Sequence, residues 1–382
     1  MSAAPTISTE SFESDRIHLQ PGSETAVSSD YSIILSRDFQ SPLQKGASLR
    51  ERIQAMKPSR IFLLTEKTLS SYGKQLQEIL EGEFKVHVRE LDGGETGKHL
   101  DKLGPVYNYM IENGVDRKSL LIALGGGVVG DFAGFVAATI LRGIPFVQVP
   151  TTVLAMVDSS VGGKVAVNTG KGKNMVGAFY HPRLVWCNLS TLETLPDPEW
   201  SCGLAEMAKH AMLESSGDLR HKLHESAAII REPETLAARI VESMAVKAYV
   251  VARDEKESGL RACLNLGHTT AHGIESVTEY SRFSHGQAVS RGLVTALILS
   301  RNRGYDTGIV ESNLEMMKSL KLPMDTAGLQ AVTLWEHMKF DKKNVDGEIR
   351  FVLFGPEGLD LSVPVSFQEF SNAWSEQQAS FG

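Results

Sequence analysis

A chain of 382 residues is long enough for two domains, or for one large domain with a lobe, and either arrangement can bury an ample core. Its hydrophobic content of 42% and charged content of 22% are ordinary for a globular protein and argue against a disordered or fibrous one. The net charge of -7 argues against a nucleic-acid-binding protein, whose phosphate contacts require concentrated Lys and Arg.

The first 25 residues are acidic and rich in Ser and Thr. They lack the apolar run of a secretory signal, and their acidity argues against a mitochondrial transit peptide, so we expect a flexible tail over 1–25. No apolar run approaches the roughly 18 residues of a membrane helix, and no membrane association is expected. Cys187, Cys202 and Cys263 form no CxxC pair, which favours reduced thiols and a cytoplasmic location.

Between the tail and about residue 185, short apolar runs alternate with helical patterns. The runs "YSIILSRD" and "RIFLLTEK" end in charges, residues 69–83 have helical spacing, and "KVHVREL" reads as a strand. A second helical pattern over 98–114 is followed by the apolar runs "SLLIALGG" and "PFVQVPTT". This alternation predicts an α/β domain with a parallel sheet of the nucleotide-binding type, over residues 26–185.

From about 199 to 335 the apolar residues recur at intervals of three and four, as in "LAARIVESMAVKAYVVARD". This period is typical of helices and predicts a mainly α-helical second domain, over residues 186–382. Near the end of the chain, "EIRFVLFG" and "LDLSVPVS" have the pattern of a short hairpin or of edge strands.

Two glycine-rich segments point to phosphate groups. Gly125, Gly126 and Gly127 stand between an apolar strand and a helix, where bare backbone N–H groups and the helix N-terminus attract a pyrophosphate. The pattern is not GxGxxG, and a tight turn is the alternative. The second segment, 156–179, sets Asp158, Lys164, Lys173 and Asn174 among glycines, which favours a phosphorylated ligand over a surface loop.

A metal site is the third hypothesis. Glu206 and Lys209 lie three apart on an apolar helical face, where a buried pair needs a partner such as a metal or an anion; the alternative is a surface salt bridge. His268 and His272 lie four apart on a predicted helix, as in HExxH zinc helices, but position 269 is not Glu. Together with His285, Glu206 and His268 would supply three ligands and leave one position open, as in catalytic sites; the alternative is core histidines.

These segments together resemble the 3-dehydroquinate synthase family of the sugar phosphate cyclase superfamily. The resemblance runs from about 60 to 355 and is carried, in order, by "GGGVVGD", "VDSSVGGK", "GKNMVGAF", "LETLP", "GLAEMAK", "LRACLNLGHT", "HGQAV" and "DKKN". It implies a Rossmann-like NAD-binding α/β domain, a mainly α-helical domain that binds Zn2+ or Co2+, and a homodimer with the active site in the cleft. "GHTTAH" in place of GHTFGH, Gln287 in place of Glu, and Glu66 in place of Asp depart from the family pattern.

The resemblance also implies the site residues. Metal ligation is assigned to Glu206, His268 and His285, and substrate contact, rather than ligation, to His272. Arg142 would reach the site of the partner subunit, and Lys343 is an alternative to Lys342. The other substrate contacts would be Asp158, Lys164, Asn174, Lys209, Lys247, Glu257, Arg261, Asn265 and Lys342. The NAD contacts would be Glu66, Glu95, Lys98, Gly126, Gly127, Val128, Asp131, Thr151, Thr152, Lys173, Thr194 and Glu199.

The activity implied by the resemblance is the conversion of 3-deoxy-D-arabino-heptulosonate 7-phosphate to 3-dehydroquinate and phosphate, a step of the shikimate pathway. Related cyclases of the aminodehydroquinate, valiolone or deoxyinosose type are alternatives, although Lys247, Arg261, Asn265 and His272 together favour a substrate with both carboxylate and phosphate. A metal- and NAD-dependent polyol dehydrogenase, which would release NADH, and a non-catalytic binding protein are the remaining hypotheses.

Overall fold

The computed structural model describes residues 17–18, 31–43, 45–279, 281–339, 348–356 and 358–382. Lys342, its alternative Lys343 and most of the predicted tail lie outside the described residues. The chain passes from one compact unit to a second after Leu195, whereas the sequence prediction put the domain boundary between 185 and 186.

The N-terminal unit contains a seven-stranded sheet in the order β1-β2-β9-β6-β5-β3-β4. Six of these strands, β2, β3, β4, β5, β6 and β9, pair in parallel with their neighbours. The short strand β1 lies within the predicted tail and pairs antiparallel to β2. The strands of this unit are β1 Ile17–His18, β2 Ser32–Ser36, β3 Ile61–Glu66, β4 Val86–Leu91, β5 Leu120–Gly125, β6 Phe146–Pro150, β7 Lys164–Thr169, β8 Gly172–Phe179 and β9 Leu184–Asn188.

Helices cover both faces of this sheet, which confirms the predicted Rossmann-like fold. The central strands β5, β6 and β9 are buried along their whole length, as expected for the near-continuous apolar runs of a parallel sheet. The helices are α1 Leu49–Met56, α2 Ser70–Leu80, α3 Leu103–Glu112 and α4 Gly127–Thr139. Helices α3 and α4 pack on one face, and α1 and α2 on the other.

The C-terminal unit is helical, as predicted, and it is built around one buried helix, α9. Every residue of α9 from Ala288 to Ser300 is buried, because α5, α8, α10, α12 and strand β10 pack around it. The helices are α5 Asp197–Leu213, α6 Asp218–Ser226, α7 Pro233–Arg253, α8 His268–Val277, α9 His285–Asn302, α10 Thr307–Ser319, α11 Ala331–Met338 and α12 Phe367–Phe381. Strands β10 Arg350–Gly355 and β11 Gly358–Pro364 form the expected antiparallel hairpin.

Among the described residues, none of the helices combines the length and the apolar character that crossing a membrane requires.

Candidate active site

Three helices of the C-terminal unit bring one carboxylate and two imidazoles together. Glu206 lies in the middle of α5, while His268 and His285 are the first residues of α8 and α9. One ligand atom from each of the three lies within 4.8 Å of the others. His272, one turn further along α8, is not in this group; its ring meets the His268 ring edge-on at a centroid distance of 5.8 Å.

The spacing of the three side chains matches a tetrahedral metal site. Glu206 Oε1 lies 3.7 Å from His268 Nε2 and 3.6 Å from His285 Nε2. Two ligand atoms at the usual zinc distances lie about 3.4 Å apart around a tetrahedral ion. Glu206 is 0% exposed, and neither of its oxygens has a hydrogen-bond partner, although one oxygen is ion-paired with Lys209. A buried carboxylate must be compensated by positive charge, which Lys209 supplies at Oε2 and a divalent cation would supply at Oε1, the oxygen that faces both histidines.

The outer nitrogen of each histidine faces a hydrogen-bond acceptor. His268 Nδ1 is 3.1 Å from the Leu266 carbonyl oxygen, and His285 Nδ1 is 3.3 Å from Glu275 Oε1. A neutral imidazole that donates through Nδ1 keeps its lone pair on Nε2, which is the atom that faces Glu206 in both cases. The sequence prediction missed Glu275. It lies seven residues, or about two helical turns, after His268, so the helical period was the available signal.

The charges of the group influence one another strongly. Burial acts to raise the pKa of the Glu206 carboxyl, but Lys209 and the two histidines outweigh it and hold that pKa well below its usual range. Burial lowers the pKa of His268 well below its usual value, and Lys209 adds to this effect. For His285, burial is outweighed by Glu206 and Glu275, which raise the pKa to about 10.

Glycines allow the three helices to approach closely enough to form this group. A Cβ on Gly286 would overlap the Cys202 Cα atom of α5, one turn before Glu206. The Gly286 N–H also donates to Cys202 Sγ, at 3.0 Å. On the other side of α9, a Cβ on Gly292 would overlap the carbonyl oxygen of Gly267, the residue that precedes His268. Helix α9 can therefore lie against α5 and against the start of α8 only because glycines occupy these two positions.

Further predicted substrate contacts are buried in the same unit. Lys209 and Lys247 are 2% and 6% exposed, on α5 and α7, and Arg261 is 3% exposed in the turn between α7 and α8. A neighbouring pair, Asn265 and Glu257, is hydrogen-bonded from Nδ2 to Oε1 at 3.0 Å. Ammonium and guanidinium groups concentrated in a protein interior are unusual unless they face anions.

Asp254, which the sequence prediction missed, holds the turn that carries Arg261. Its carboxylate accepts the backbone N–H groups of Arg261, Ser258 and Gly259 at 2.9, 2.8 and 2.7 Å. Burial acts to raise the pKa of this carboxyl, but these donors outweigh it and lower the pKa to about 2. The Arg261 guanidinium in turn donates to the Glu255 carbonyl oxygen.

In the N-terminal unit, the predicted phosphate loop lies at the carboxyl edge of the sheet. Gly125 ends β5 beside Pro150 of β6, Gly126 caps α4, and the Thr151 N–H donates to the Gly125 carbonyl oxygen at 3.0 Å. A Cβ on Gly126 would lie 3.3 Å from the Thr152 methyl group. Ligands of parallel α/β sheets bind at this edge, so the geometry suits the cofactor role predicted for the loop.

The predicted cofactor contacts Glu95, Lys98, Asp131 and Lys173 belong to one polar network. Lys98 is ion-paired with Asp131, and Lys173 Nζ lies 3.6 Å from Glu95 Oε1. Asn168, a residue missed by the sequence prediction, connects the two pairs: its backbone N–H donates to the Lys98 carbonyl oxygen at 2.7 Å, and its Nδ2 donates to Glu95 Oε2, also at 2.7 Å. Its Oδ1 also accepts the N–H of the residue after Lys173, Asn174, at 3.0 Å. The turn at 92–98 is thereby attached to the β7–β8 hairpin.

Two further predicted residues lie where the backbone departs from regular α-helix or strand geometry. Asp158 is in the π-helical turn Ala155–Ser159, and Asn174 has a left-handed backbone, with φ 53°. The predicted residues that fall in the N-terminal unit are Glu66, Glu95, Lys98, Gly126, Gly127, Val128, Asp131, Arg142, Thr151, Thr152, Asp158, Lys164, Lys173, Asn174 and Thr194. Those in the C-terminal unit are Glu199, Glu206, Lys209, Lys247, Glu257, Arg261, Asn265, His268, His272 and His285.

Comparison with known proteins gives consistent matches to one family. Residues 88–202 match the family model described as 3-dehydroquinate synthase N-terminal, and residues 203–344 match 3-dehydroquinate synthase C-terminal. The 3-dehydroquinate synthase of Leptospira interrogans serogroup Icterohaemorrhagiae serovar copenhageni (strain Fiocruz L1-130) is 50% identical over 323 residues, which are 83% of this chain and 89% of that protein. That of Geotalea uraniireducens (strain Rf4) is 43% identical over 77% of this chain and 82% of that protein.

Among solved structures, ValA (2-epi-5-epi-valiolone synthase) from Streptomyces hygroscopicus subsp. jinggangensis 5008, with NAD+ and Zn2+ bound, superposes with a TM-score of 0.81. It covers 94% of this chain and 99% of that chain at 24% sequence identity, a likeness that concerns the fold. The two family models, the close relatives and the fold agree with the resemblance that the motifs indicated. The chain belongs to the 3-dehydroquinate synthase family.

Proposed function

We propose that this chain converts 3-deoxy-D-arabino-heptulosonate 7-phosphate to 3-dehydroquinate and phosphate, as a 3-dehydroquinate synthase of the shikimate pathway. The relatives named 3-dehydroquinate synthase are 50% and 43% identical over most of its length. The observation that carries the proposal is the group of Glu206, His268 and His285, in which both Nε2 atoms face one oxygen of a fully buried carboxylate.

Two cofactors are part of the proposal, NAD and one divalent cation, Zn2+ or Co2+. Bound NAD would supply reversible hydride transfer at C5 of the substrate, and the cation would supply Lewis-acid polarisation of the C5 oxygen. Glu206, His268 and His285 would hold the cation. The glycine turn at 125–127 and the network around Glu95 and Lys98 would hold NAD. The solved relative with NAD+ and Zn2+ bound supports both cofactors.

The other buried groups have roles that follow from their charge. Lys209 and Lys247 would stabilise negative charge on the C5 oxygen, because buried ammonium groups act most strongly where water is excluded. Arg261 suits the substrate carboxylate, since its guanidinium can bind both oxygens at once. We assign the phosphate end to Lys164, Asn174, Asn265 and His272, and the removal of the C6 proton to the substrate's own phosphate group.

The first prediction concerns the reaction itself. With the heptulosonate phosphate and a catalytic amount of NAD, the purified protein is expected to release phosphate over many turnovers without accumulating NADH, because the hydride is returned in each cycle. Phosphate is measured by a coupled colorimetric assay, and NADH by its absorbance in the same cuvette. Treatment with a chelator should abolish phosphate release, and added Zn2+ or Co2+ should restore it.

Other products would contradict the proposal in distinct ways. Steady NADH accumulation without phosphate would identify a polyol dehydrogenase, and turnover of sedoheptulose 7-phosphate alone would identify a valiolone-type cyclase. Phosphate release that survives complete removal of metal would contradict the metal site.

We further propose a homodimer in the cytoplasm, with Arg142 directed toward the partner. Exposed apolar side chains along the β7–β8 hairpin support the dimer: Met175, Val176 and Phe179 of strand β8 are 47%, 37% and 46% exposed. The turn that contains Arg142 lies beside it, because the Tyr180 hydroxyl donates to the Ile144 carbonyl oxygen. Exposed edge strands with apolar side chains pair readily with other chains.

The buried free thiols support a reducing compartment.

A second prediction tests this surface. Phe179→Arg is expected to convert a dimer to a monomer at micromolar concentration, because it would bury a charge in the interface. Sedimentation velocity gives the mass directly. Ile111→Arg is the control, since Ile111 is an exposed apolar residue of the same unit, on α3. A Phe179→Arg protein that remains dimeric, or a monomeric wild type, would contradict the proposed interface.

A further inference from the structure

Glu275 is a buried carboxylate that faces the candidate metal site from its outer side. It lies on the same face of α8 as His268, two turns further along the helix, and its side chain is 7% exposed. Its Oε1 atom is 3.3 Å from Nδ1 of His285, the first residue of α9. Helix α8 therefore carries both His268 and the group that contacts the neighbouring helix's histidine.

This contact determines which nitrogen of His285 is available. A neutral imidazole has one N–H group and one lone pair, on different nitrogens. A carboxylate cannot donate a hydrogen bond, so Nδ1 must carry the proton when it faces Glu275. In the neutral form that ligation requires, the lone pair is then on Nε2, which lies 3.6 Å from Glu206 Oε1. The ring is thereby held both in the tautomer and in the orientation that ligation requires.

The two histidines differ in the kind of acceptor that holds them. His268 Nδ1 faces the backbone carbonyl of Leu266, two residues before it in the chain. His285 Nδ1 faces a charged side chain from another helix. A charged carboxylate polarises the Nδ1–H bond more strongly than a neutral carbonyl does. The electron density on the ring increases, and this makes Nε2 the better electron donor to a metal. Only the second contact depends on a replaceable side chain.

We propose that Glu275 is a positioning residue of the metal site: it orients His285 and fixes its tautomer so that Nε2 can bind the cation. The proposal rests on the metal site assigned above to Glu206, His268 and His285. It adds a fourth side chain that does not touch the metal or the substrate and acts on the site through His285.

Metal affinity of the metal-free protein tests the proposal without reference to turnover. Zn2+ affinity is measured by competition with a chromogenic chelator for the wild type, Glu275→Ala and Glu275→Gln. We expect Glu275→Ala to bind Zn2+ about tenfold to a hundredfold more weakly. Glu275→Gln should lose less, because its amide oxygen can still accept the Nδ1–H bond while the charge is absent. The visible spectrum of bound Co2+ should change in Glu275→Ala, since the spectrum reports the ligand geometry.

Glu214→Gln is the matched control. Glu214 is also a buried glutamate, at the end of α5, where Oε1 accepts the Ser216 N–H bond, and it lies eight residues, roughly 12 Å along the helix axis, beyond Glu206. The metal affinity and the Co2+ spectrum of the Glu214→Gln protein should equal those of the wild type. If Glu275→Ala fails to fold by circular dichroism, the affinity and spectrum of Glu275→Gln decide the question.

Two results would overturn the proposal, and they are distinguishable. Wild-type affinity and an unchanged Co2+ spectrum in the folded Glu275 variants would show that His285 needs no such contact, while the metal site itself would stand. A wild-type protein that binds neither Zn2+ nor Co2+ would remove the metal site, and the role of Glu275 with it.

Discussion

His268→Ala is expected to lose its bound metal, whereas His272→Ala is expected to keep it and to bind substrate more weakly. The physical reason is that His268 Nε2 faces Glu206 Oε1 at 3.7 Å, while His272 is outside the group of three ligands. Removal of a ligand should weaken the affinity by more than the roughly hundredfold loss seen when only an outer partner is removed. Metal content after dialysis and the Michaelis constant for the heptulosonate phosphate measure the two effects.

The control for this pair is His221→Ala, an exposed histidine on α6 that pairs with Glu225. It should leave metal content and the Michaelis constant unchanged. Equal metal loss in His268→Ala and His272→Ala would contradict the assignment of different roles to the two histidines.

Gly286→Ala is expected to destabilise the protein and to weaken metal binding together. The added Cβ would overlap the Cys202 Cα atom, and a backbone atom within a helix cannot move aside as a flexible side chain can. The start of α9 must then shift away from α5, which carries His285 away from Glu206. Overpacking of this kind typically lowers the free energy of unfolding by about 1 to 3 kcal/mol. Denaturant unfolding and chelator competition measure the two changes.

Gly104→Ala is the matched control, because Gly104 lies in helix α3 and a Cβ there would meet nothing within 4 Å. It should leave the metal affinity and the free energy of unfolding close to those of the wild type. If Gly286→Ala were as stable as the wild type and bound metal equally well, close helix contact would not be what positions His285.

Two of the departures from the family pattern keep a side-chain oxygen at their positions. Gln287, where the family often has Glu, accepts a hydrogen bond from the Ser284 N–H at 3.1 Å and so helps to begin α9 just before His285. Glu and Gln both offer an oxygen for this bond, which is why the exchange preserves the helix start. Glu66 ends β3 at the same sheet edge as Gly125, so its carboxylate is retained where the cofactor is expected.

The sequence pattern was sufficient where the signal is local or repeats. Apolar runs predicted the buried parallel strands, and apolar residues at intervals of three and four predicted the helical unit, because periodicity reflects which side of an element is buried. The position of the domain boundary was harder to predict from the sequence. The sheet continues through β9, and no Pro- or Gly-rich linker marks the change, so composition does not indicate that the first unit extends to Leu195.

By itself, the sequence determined the fold class, the family and the presence of two histidines four residues apart. Helical spacing alone does not distinguish His268 from His272. Their different roles could be inferred only from the resemblance to the family. The tertiary structure decided which imidazole meets Glu206. In the C-terminal unit it revealed Glu275 beside His285 and Asp254 in the turn of Arg261, and in the N-terminal unit it revealed Asn168 between Glu95 and the β7–β8 hairpin. Their contacts join different elements or close a turn, and such contacts depend on how helices and strands pack, which no local period encodes.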